Sequence, residues 1–188
     1  MHYDTGLFHR INKNFDVRLS LYRIVVDNYI VANSGDIYHA SSAYGYNMDQ
    51  VSFKGVEAEF NATVFKKLSL FGNYTYRETD YDADDILASA VLLEISPKHK
   101  ANFSARYGVF DKTLLTADIR YIGERKTEGD IYTMDDVILV DLGVEQKLFK
   151  NTTLHAYANN VFGEKYQEVY GYPLPEHIFG VNVKMTFF

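Results

Sequence analysis

The chain has no cysteine and no tryptophan, and only 3 prolines among 188 residues. The missing cysteine excludes disulfides and thiolate metal sites, without identifying a compartment. Long apolar runs are also missing. The longest, Ile86 to Leu93, has eight residues with Ala and Ser among them, whereas a membrane-spanning helix needs about 20. A helical membrane protein is excluded, and a barrel wall is not, because each of its strands crosses with about 9–11 alternating residues. An excess of positive charge is absent too: the formal net charge is −6, which argues against a nucleic-acid surface. The opening Met1-His2-Tyr3-Asp4 has neither a basic nor an apolar signal region, so the expectation is that the chain is not exported or that its front end is missing.

What is abundant is aromatic: 16 Tyr and 13 Phe, a composition that favours extended strands. A mean hydropathy of −0.22 fits strands with one apolar and one polar face. Alternation of this kind recurs along the chain. Val56, Ala58, Phe60, Ala62 and Val64 interleave with Glu57, Glu59 and Asn61. Leu68, Leu70, Gly72, Tyr74 and Tyr76 oppose Ser69, Asn73, Thr75 and Arg77, with Phe71 as the exception. Ala101 to Tyr107, Leu115 to Tyr121, Ile138 to Val144, Leu154 to Ala158 and Phe179 to Phe187 repeat the rule, although Val137 and Leu139 blur the start of one strand. With two weaker strands near Tyr3–Ile11 and Val17–Val26, about nine are expected.

Short and long connections alternate. Asn12–Phe15, Phe65–Lys67, Gly108–Lys112 and Phe149–Asn151 read as tight turns, while 27–50, 78–96, 123–136 and 162–177 read as long loops. An up-and-down barrel with short periplasmic turns and long outer loops gives this order, and a sandwich does not. The last strand then descends and ends on the periplasmic side. Tyr74, Tyr76, Tyr107 and Tyr121 fall near strand ends on the apolar face, as aromatic girdles require, although tyrosines capping the core of a soluble barrel would occupy the same places.

Glu57, Glu59, Arg77, Lys100, Arg106, Asp118, Arg120, Asp141 and Glu145 share the polar face. A charge facing hydrocarbon costs on the order of 2–4 kcal/mol when basic and somewhat less when acidic, so these residues are expected to face a wide, wet or plugged lumen. A small closed barrel or a lipocalin-like soluble barrel fits less well. Nine is an odd number where single-chain bacterial barrels use even ones, which points to part of a larger wall.

Five segments carry a resemblance to a known family. Phe53-Lys54-Gly55-Val56-Glu57-Ala58-Glu59 resembles its Gly-Val-Glu strand, and Ser96-Pro97-Lys98-His99-Lys100-Ala101-Asn102 its Pro-x-His-Lys strand start. Arg120-Tyr121-Ile122-Gly123-Glu124-Arg125, Val140-Asp141-Leu142-Gly143-Val144 and Asn159-Asn160-Val161-Phe162-Gly163-Glu164-Lys165-Tyr166 follow in the family's order. The chain thus resembles the C-terminal barrel region of TonB-dependent receptors. The resemblance implies an all-β, antiparallel, up-and-down transmembrane segment, residues 1–188, forming nine strands of a barrel of about 22. It implies outer-membrane residence and, in the complete receptor, uptake of an iron–siderophore complex or a cobalamin-like ligand, without a covalent step or a cofactor. It also implies lipid contact, recognition of the C-terminal strand by the barrel-assembly machinery, and engagement of TonB through an N-terminal region that is expected to be missing here. The terminal aromatic phase runs through Phe187, with Phe188 one residue extra.

Candidate ligand contacts lie in two outer loops. The first holds Tyr38, His39, Tyr44 and Tyr46, and the second Tyr170 and Tyr172 within a set that includes Tyr166, Pro173, Pro175 and His177. Packing of loop aromatics on one another is the plainer reading of both. The acidic run Glu78, Asp80, Asp82, Asp84, Asp85 lacks the Gly-centred spacing of a calcium loop and reads as a solvated surface loop. The six histidines show no metal-binding pair and no nucleophile grouping. A self-contained small barrel, either a passive pore or an outer-membrane enzyme, is the competing expectation.

Overall fold

The computed structural model describes residues 1–33, 44–81, 96–127 and 132–187, with backbone alone at 31–33, 44–46, 127 and 132. Tyr38, His39, the Ile86–Leu93 run, Asp82, Asp84, Asp85 and Phe188 lie outside the described residues. The described residues form strands and turns only: β1 His2–Asn12, β2 Phe15–Asn33, β3 Tyr44–Val64, β4 Leu68–Tyr81, β5 His99–Phe110, β6 Thr113–Ile122, β7 Arg125–Thr127, β8 Tyr132–Met134, β9 Val137–Phe149, β10 Thr152–Asn159, β11 Gln167–Val169, β12 Tyr172–Pro173 and β13 Ile178–Met185.

Nine of these make one antiparallel sheet in the order β1-β2-β3-β4-β5-β6-β9-β10-β13. Every neighbour in the sheet is the next strand of the meander, and β7–β8 and β11–β12 are small ribbons inserted in the outer connections. Because nine strands alternate in direction, β1 and β13 run the same way. A sheet with this property closes antiparallel only with an odd number of further strands, which restores an even total.

The register carries the two-faced pattern across the sheet. One row reads Leu7, Leu19, Ala58, Tyr74, Ala101, Tyr121, Ile138, each opposite the next. A second reads Phe15, Ala62, Leu70, Ala105, Ala117, Leu142, Ala158, Phe179. These side chains are not packed into a core: Leu7, Leu19, Ile119, Ile138, Leu142, Phe179, Val181 and Val183 are all exposed. A continuous apolar face of this extent on a water-soluble sheet would be an association surface, whereas in a bilayer it is the lipid-facing wall. Gly72 on that face lies under the ring of its direct partner Phe60, and Gly55 and Gly180 on the opposite face lie under Tyr22 and Tyr157 in the same way. Each aromatic thereby covers backbone that glycine leaves bare.

The long connection expected over 27–50 is shorter than the sequence suggested. The β2 strand continues to Asn33 and β3 begins at Tyr44, giving strands of 19 and 21 residues. Crossing the bilayer uses about 9–11 of them, so at about 3.3 Å per residue the hairpin stands on the order of 30 Å beyond the membrane. Beyond the lipid both faces are wet, so the apolar alternation that marks a strand disappears. Likewise β4 runs on to Tyr81, so Glu78 and Asp80 are strand residues facing Lys54, at 3.3 and 3.0 Å, instead of part of a solvated loop. A small apolar cluster of Met48 and Val51, with Tyr29, Phe53 and Tyr81 packed on it, stiffens this arm.

Candidate functional site

Two surfaces carry functional chemistry: the charged face of the sheet and the loops at its outer end. On the charged face, polar partners sit directly across from each other, so the pleat itself pairs them. Asn102 donates to Asn73 at 2.9 Å, Asn61 to Asp16 at 3.2 Å, and Ser104 to Asp118. Arg120 reaches Asp141 at 3.1 Å. His155 stacks on Tyr157 with ring centroids 5.6 Å apart, and together with Thr116, Asp118 and Asp141 they line an open recess of about 380 Å³. This face offers hydrogen-bond donors, acceptors and charges of both signs to whatever fills the lumen. Phe71, the exception to alternation, lies on it beside Arg106 at the rim of a second recess.

The two surfaces meet at Asn160. This residue is buried and adopts φ +51°, a left-handed conformation that Asn tolerates better than most residues. Its amide N–H donates to Asp141 Oδ1 at 2.8 Å, and its carbonyl oxygen is 3.0 Å from His177 Nδ1. Its side chain donates to the Glu164 carbonyl at 2.8 Å and accepts the Glu164 N–H at 3.0 Å. The buckle continues at Gly163, φ +69°, where a Cβ would meet the His177 ring at 2.6 Å. The Asn159–Tyr166 segment singled out in the sequence therefore holds the joint that fixes how the chain leaves β10 and re-enters at β13.

Arg125 organises the loops. It is 6% exposed and donates to the carbonyls of Gln167 at 2.7 Å and Glu168 at 3.4 Å, tying the β7–β8 ribbon to the β11–β12 ribbon. Burial lowers its guanidinium pKa from the ordinary value, against the opposing pull of Glu168. Met134, Val137 and Leu139 are buried at the same end, which explains why Val137 and Leu139 blur the alternation of β9: on that stretch the inner face is covered, not wet. Between the ribbons lies a recess of about 210 Å³ bordered by Arg125, Asp136, Lys165, Tyr166 and Tyr170.

Of the six candidate contacts, Tyr170 and Tyr172 sit at the exposed tip of the β11–β12 ribbon. Tyr44 and Tyr46 are paired strand residues of β3, opposite Asn33 and Val31, instead of loop residues. They thus belong to the projecting arm, and their side chains lie outside the described residues, as do Tyr38 and His39. Sequence reasoning did not single out Arg125 as an organiser or Asn160 as a hub. The paired Asn159-Asn160 with Gly163 was the available signal for the latter, and the former ends the Arg120–Arg125 segment, with no sign there of its distant carbonyl partners.

An antiparallel meander with a lipid-facing apolar side, a charged inner side and loops gathered at one end defines a wall segment of a transmembrane β-barrel. The chain matches the family described as TonB dependent receptor-like, beta-barrel, over residues 2–161, and belongs to it. It is 28% identical over 140 residues to the iron-regulated outer membrane virulence protein of Vibrio cholerae, covering 71% of this chain and 21% of that protein. It is 27% identical over 128 residues to the ferrichrome outer membrane transporter/phage receptor of Escherichia coli, covering 62% of this chain and 17% of that protein. The chain thus spans about a fifth of the length of these curated relatives. Among solved structures, the copper transporter OprC superposes with TM-score 0.78 at 17% identity, covering 99% of this chain and 31% of that one. The ferric-catecholate import receptor Fiu of E. coli K12 superposes with TM-score 0.75 at 17% identity, covering 99% and 27%. These two likenesses concern the fold.

Proposed function

We propose that the chain forms part of the barrel wall of an outer-membrane receptor that takes up an iron–siderophore complex by TonB-dependent transport. The observation that most supports this is the charged face, whose Arg120–Asp141 pair is joined through Asn160 to Glu164 and His177 in the outer connection. That linkage supplies a polar path from the outer loops to the lumen. A passive pore needs no such coupling of loop to wall. The names of the two curated relatives, one iron-regulated and one a ferrichrome transporter, support iron chelates over cobalamin-like ligands.

In this reading Tyr170 and Tyr172 contact the chelate from the β11–β12 tip, and Tyr38, His39, Tyr44 and Tyr46 are a second set of contacts. TonB engages through an N-terminal region of the complete receptor. The barrel-assembly machinery recognises the C-terminal strand, and lipid covers the apolar face.

The test is uptake of radiolabelled iron bound to hydroxamate and to catecholate chelators, and of labelled cobalamin, by cells with and without the full-length protein. Uptake of an iron chelate that is lost on deletion and on collapse of the proton gradient is the expected result. Cobalamin uptake alone, or leakage of small solutes that ignores the gradient, overturns the assignment. Replacing Tyr170 and Tyr172 by Ala should raise the half-saturating chelate concentration by about fivefold, the magnitude of an aromatic contact pair.

A further inference from the structure

The short-turn end of the wall has a composition that the transport reading does not use. Its turns place an exposed phenylalanine beside lysine again and again: Phe65-Lys66-Lys67, Phe110-Asp111-Lys112 and Phe149-Lys150. Phe65 is 92% exposed, Phe110 71% and Phe149 68%.

Backbone irregularities put these rings there. In β5, Gly108 pairs with Leu114 but Phe110 pairs with Thr113, so Val109 is an extra residue. Without it Phe110, two positions past Gly108, would fall on the charged face. With it, Phe110 stands opposite Thr113 in the apolar row of Leu115 and Ala117. In β9 the same event occurs one hairpin later: Lys147 pairs with Thr153 and Phe149 with Thr152, making Leu148 the extra residue and moving Phe149 onto the apolar face. Bulges of this kind re-aim side chains at barrel rims. The third ring is held differently. Phe65 and Lys66 have φ +51° and +60°, and Lys67 N–H bonds to Val64 carbonyl at 3.2 Å, giving a type I′ turn. Asn-Gly is the usual occupant of such a turn; here a phenylalanine and a lysine accept the left-handed conformation instead.

The lysines are unopposed. Lys66, Lys67, Lys112 and Lys150 are exposed, and among the described residues none of them makes an ion pair, with Asp111 the only acid in the turns. At the outer end Lys54 is held by Glu78 and Asp80 and Lys165 by Glu176, while Lys98 is exposed and makes no ion pair among the described residues. Free cations immediately beyond a ring of apolar aromatics fit a bilayer surface whose headgroups carry phosphate without a compensating amine.

We propose that this rim is a docking surface for anionic glycerophospholipid. Phe65, Phe110 and Phe149 seat at the acyl boundary, and Lys66, Lys67, Lys112 and Lys150 sit on the headgroup phosphates. The inference concerns the wall and its membrane, and stands whichever ligand the receptor carries.

The test places the full-length protein in dioleoylphosphatidylcholine bilayers with trace spin-labelled phosphatidylglycerol or phosphatidylcholine, and measures the relative association of each with the protein by spin resonance. The expected result is a preference for phosphatidylglycerol of about two- to fivefold that falls to near unity in Lys66→Gln/Lys67→Gln/Lys112→Gln/Lys150→Gln and in 1 M salt, where screening extends only about 3 Å. The matching Lys→Arg variant retains it, and so does Lys54→Gln at the other end. Heat-modifiable migration on gels reports that each variant is folded, and the salt arm needs no variant. Absence of preference in the wild type, its survival in the glutamine variant or in high salt, or its loss in Lys54→Gln overturns the proposal.

Discussion

Replacing Asn160 separates the two contributions that hold the joint between wall and loops. In Asn160→Ala the Glu164 N–H and carbonyl lose their side-chain partners at 3.0 and 2.8 Å, at about 1 kcal/mol each. The alanine must also hold φ +51°, which costs a further ~1 kcal/mol. The sum, about 3 kcal/mol, raises the local opening constant by about 150-fold. Asn160→Gly loses the same two bonds but not the left-handed conformation, and its added chain entropy returns only about 0.5–1 kcal/mol of that relief, so it should be no worse than alanine. Hydrogen–deuterium exchange of the full-length protein reads this directly. The amides of Val161 and Gly163, bonded to Val140 and Asn160 carbonyls, should lose protection in both variants, with alanine equal or worse. A change under about fivefold, or a glycine variant clearly less protected than alanine, refutes the reasoning.

Other substitutions probe the two faces and the loops. Leu142→Arg puts a guanidinium on the apolar face at mid-strand and should lower unfolding stability in liposomes by about 2–4 kcal/mol, while His155→Arg on the charged face, opposite Glu145, should change it by less than about 1 kcal/mol. Gly72→Ala drives a Cβ within 2.2 Å of Phe60 Cε1, and expelling that ring should cost about 1–3 kcal/mol in the same assay. Arg125→Met removes both bonds between the ribbons, and limited proteolysis should then cut between residues 125 and 172 several-fold faster, with the wall between β1 and β6 unchanged.

The sequence disclosed the wall because lipid imposes a period of two: wherever one face meets hydrocarbon and the other water, residues such as Ala101 to Tyr107 must alternate. Where that solvent contrast ends, so did the legibility. The outer half of β2 carries Asp27-Asn28-Tyr29-Ile30 with no preferred face, and it and the outer half of β3 read as loop although they are paired strand. The β7–β8 and β11–β12 ribbons are too short for periodicity to register. The bulges at Val109 and Leu148 are single extra residues whose effect, shifting Phe110 and Phe149 to the other face, depends on the partner strand and not on local sequence. Arg125 is a more extreme case, since its carbonyl partners are 42 and 43 residues away. Tyr170 and Tyr172 fall in the long connection expected over 162–177, which was legible because the alternation of Leu154 to Ala158 stops before it and that of Phe179 to Phe187 starts after it.

This chain holds no cysteine, so cysteines introduced into it one at a time, with any cysteine elsewhere in the full-length protein first replaced, give the most direct test of the two-faced wall. Single cysteines at Ile119, Leu142 and Ala156, and at Thr116, Asn102 and His155, are spin-labelled in the full-length protein in bilayers, and their collisions with oxygen and with a water-soluble nickel chelate are compared. The account predicts that the first three labels meet oxygen and are shielded from nickel, and that the second three show the reverse. Nickel access at Leu142 with lipid exposure at His155, or equal access on both faces, contradicts it.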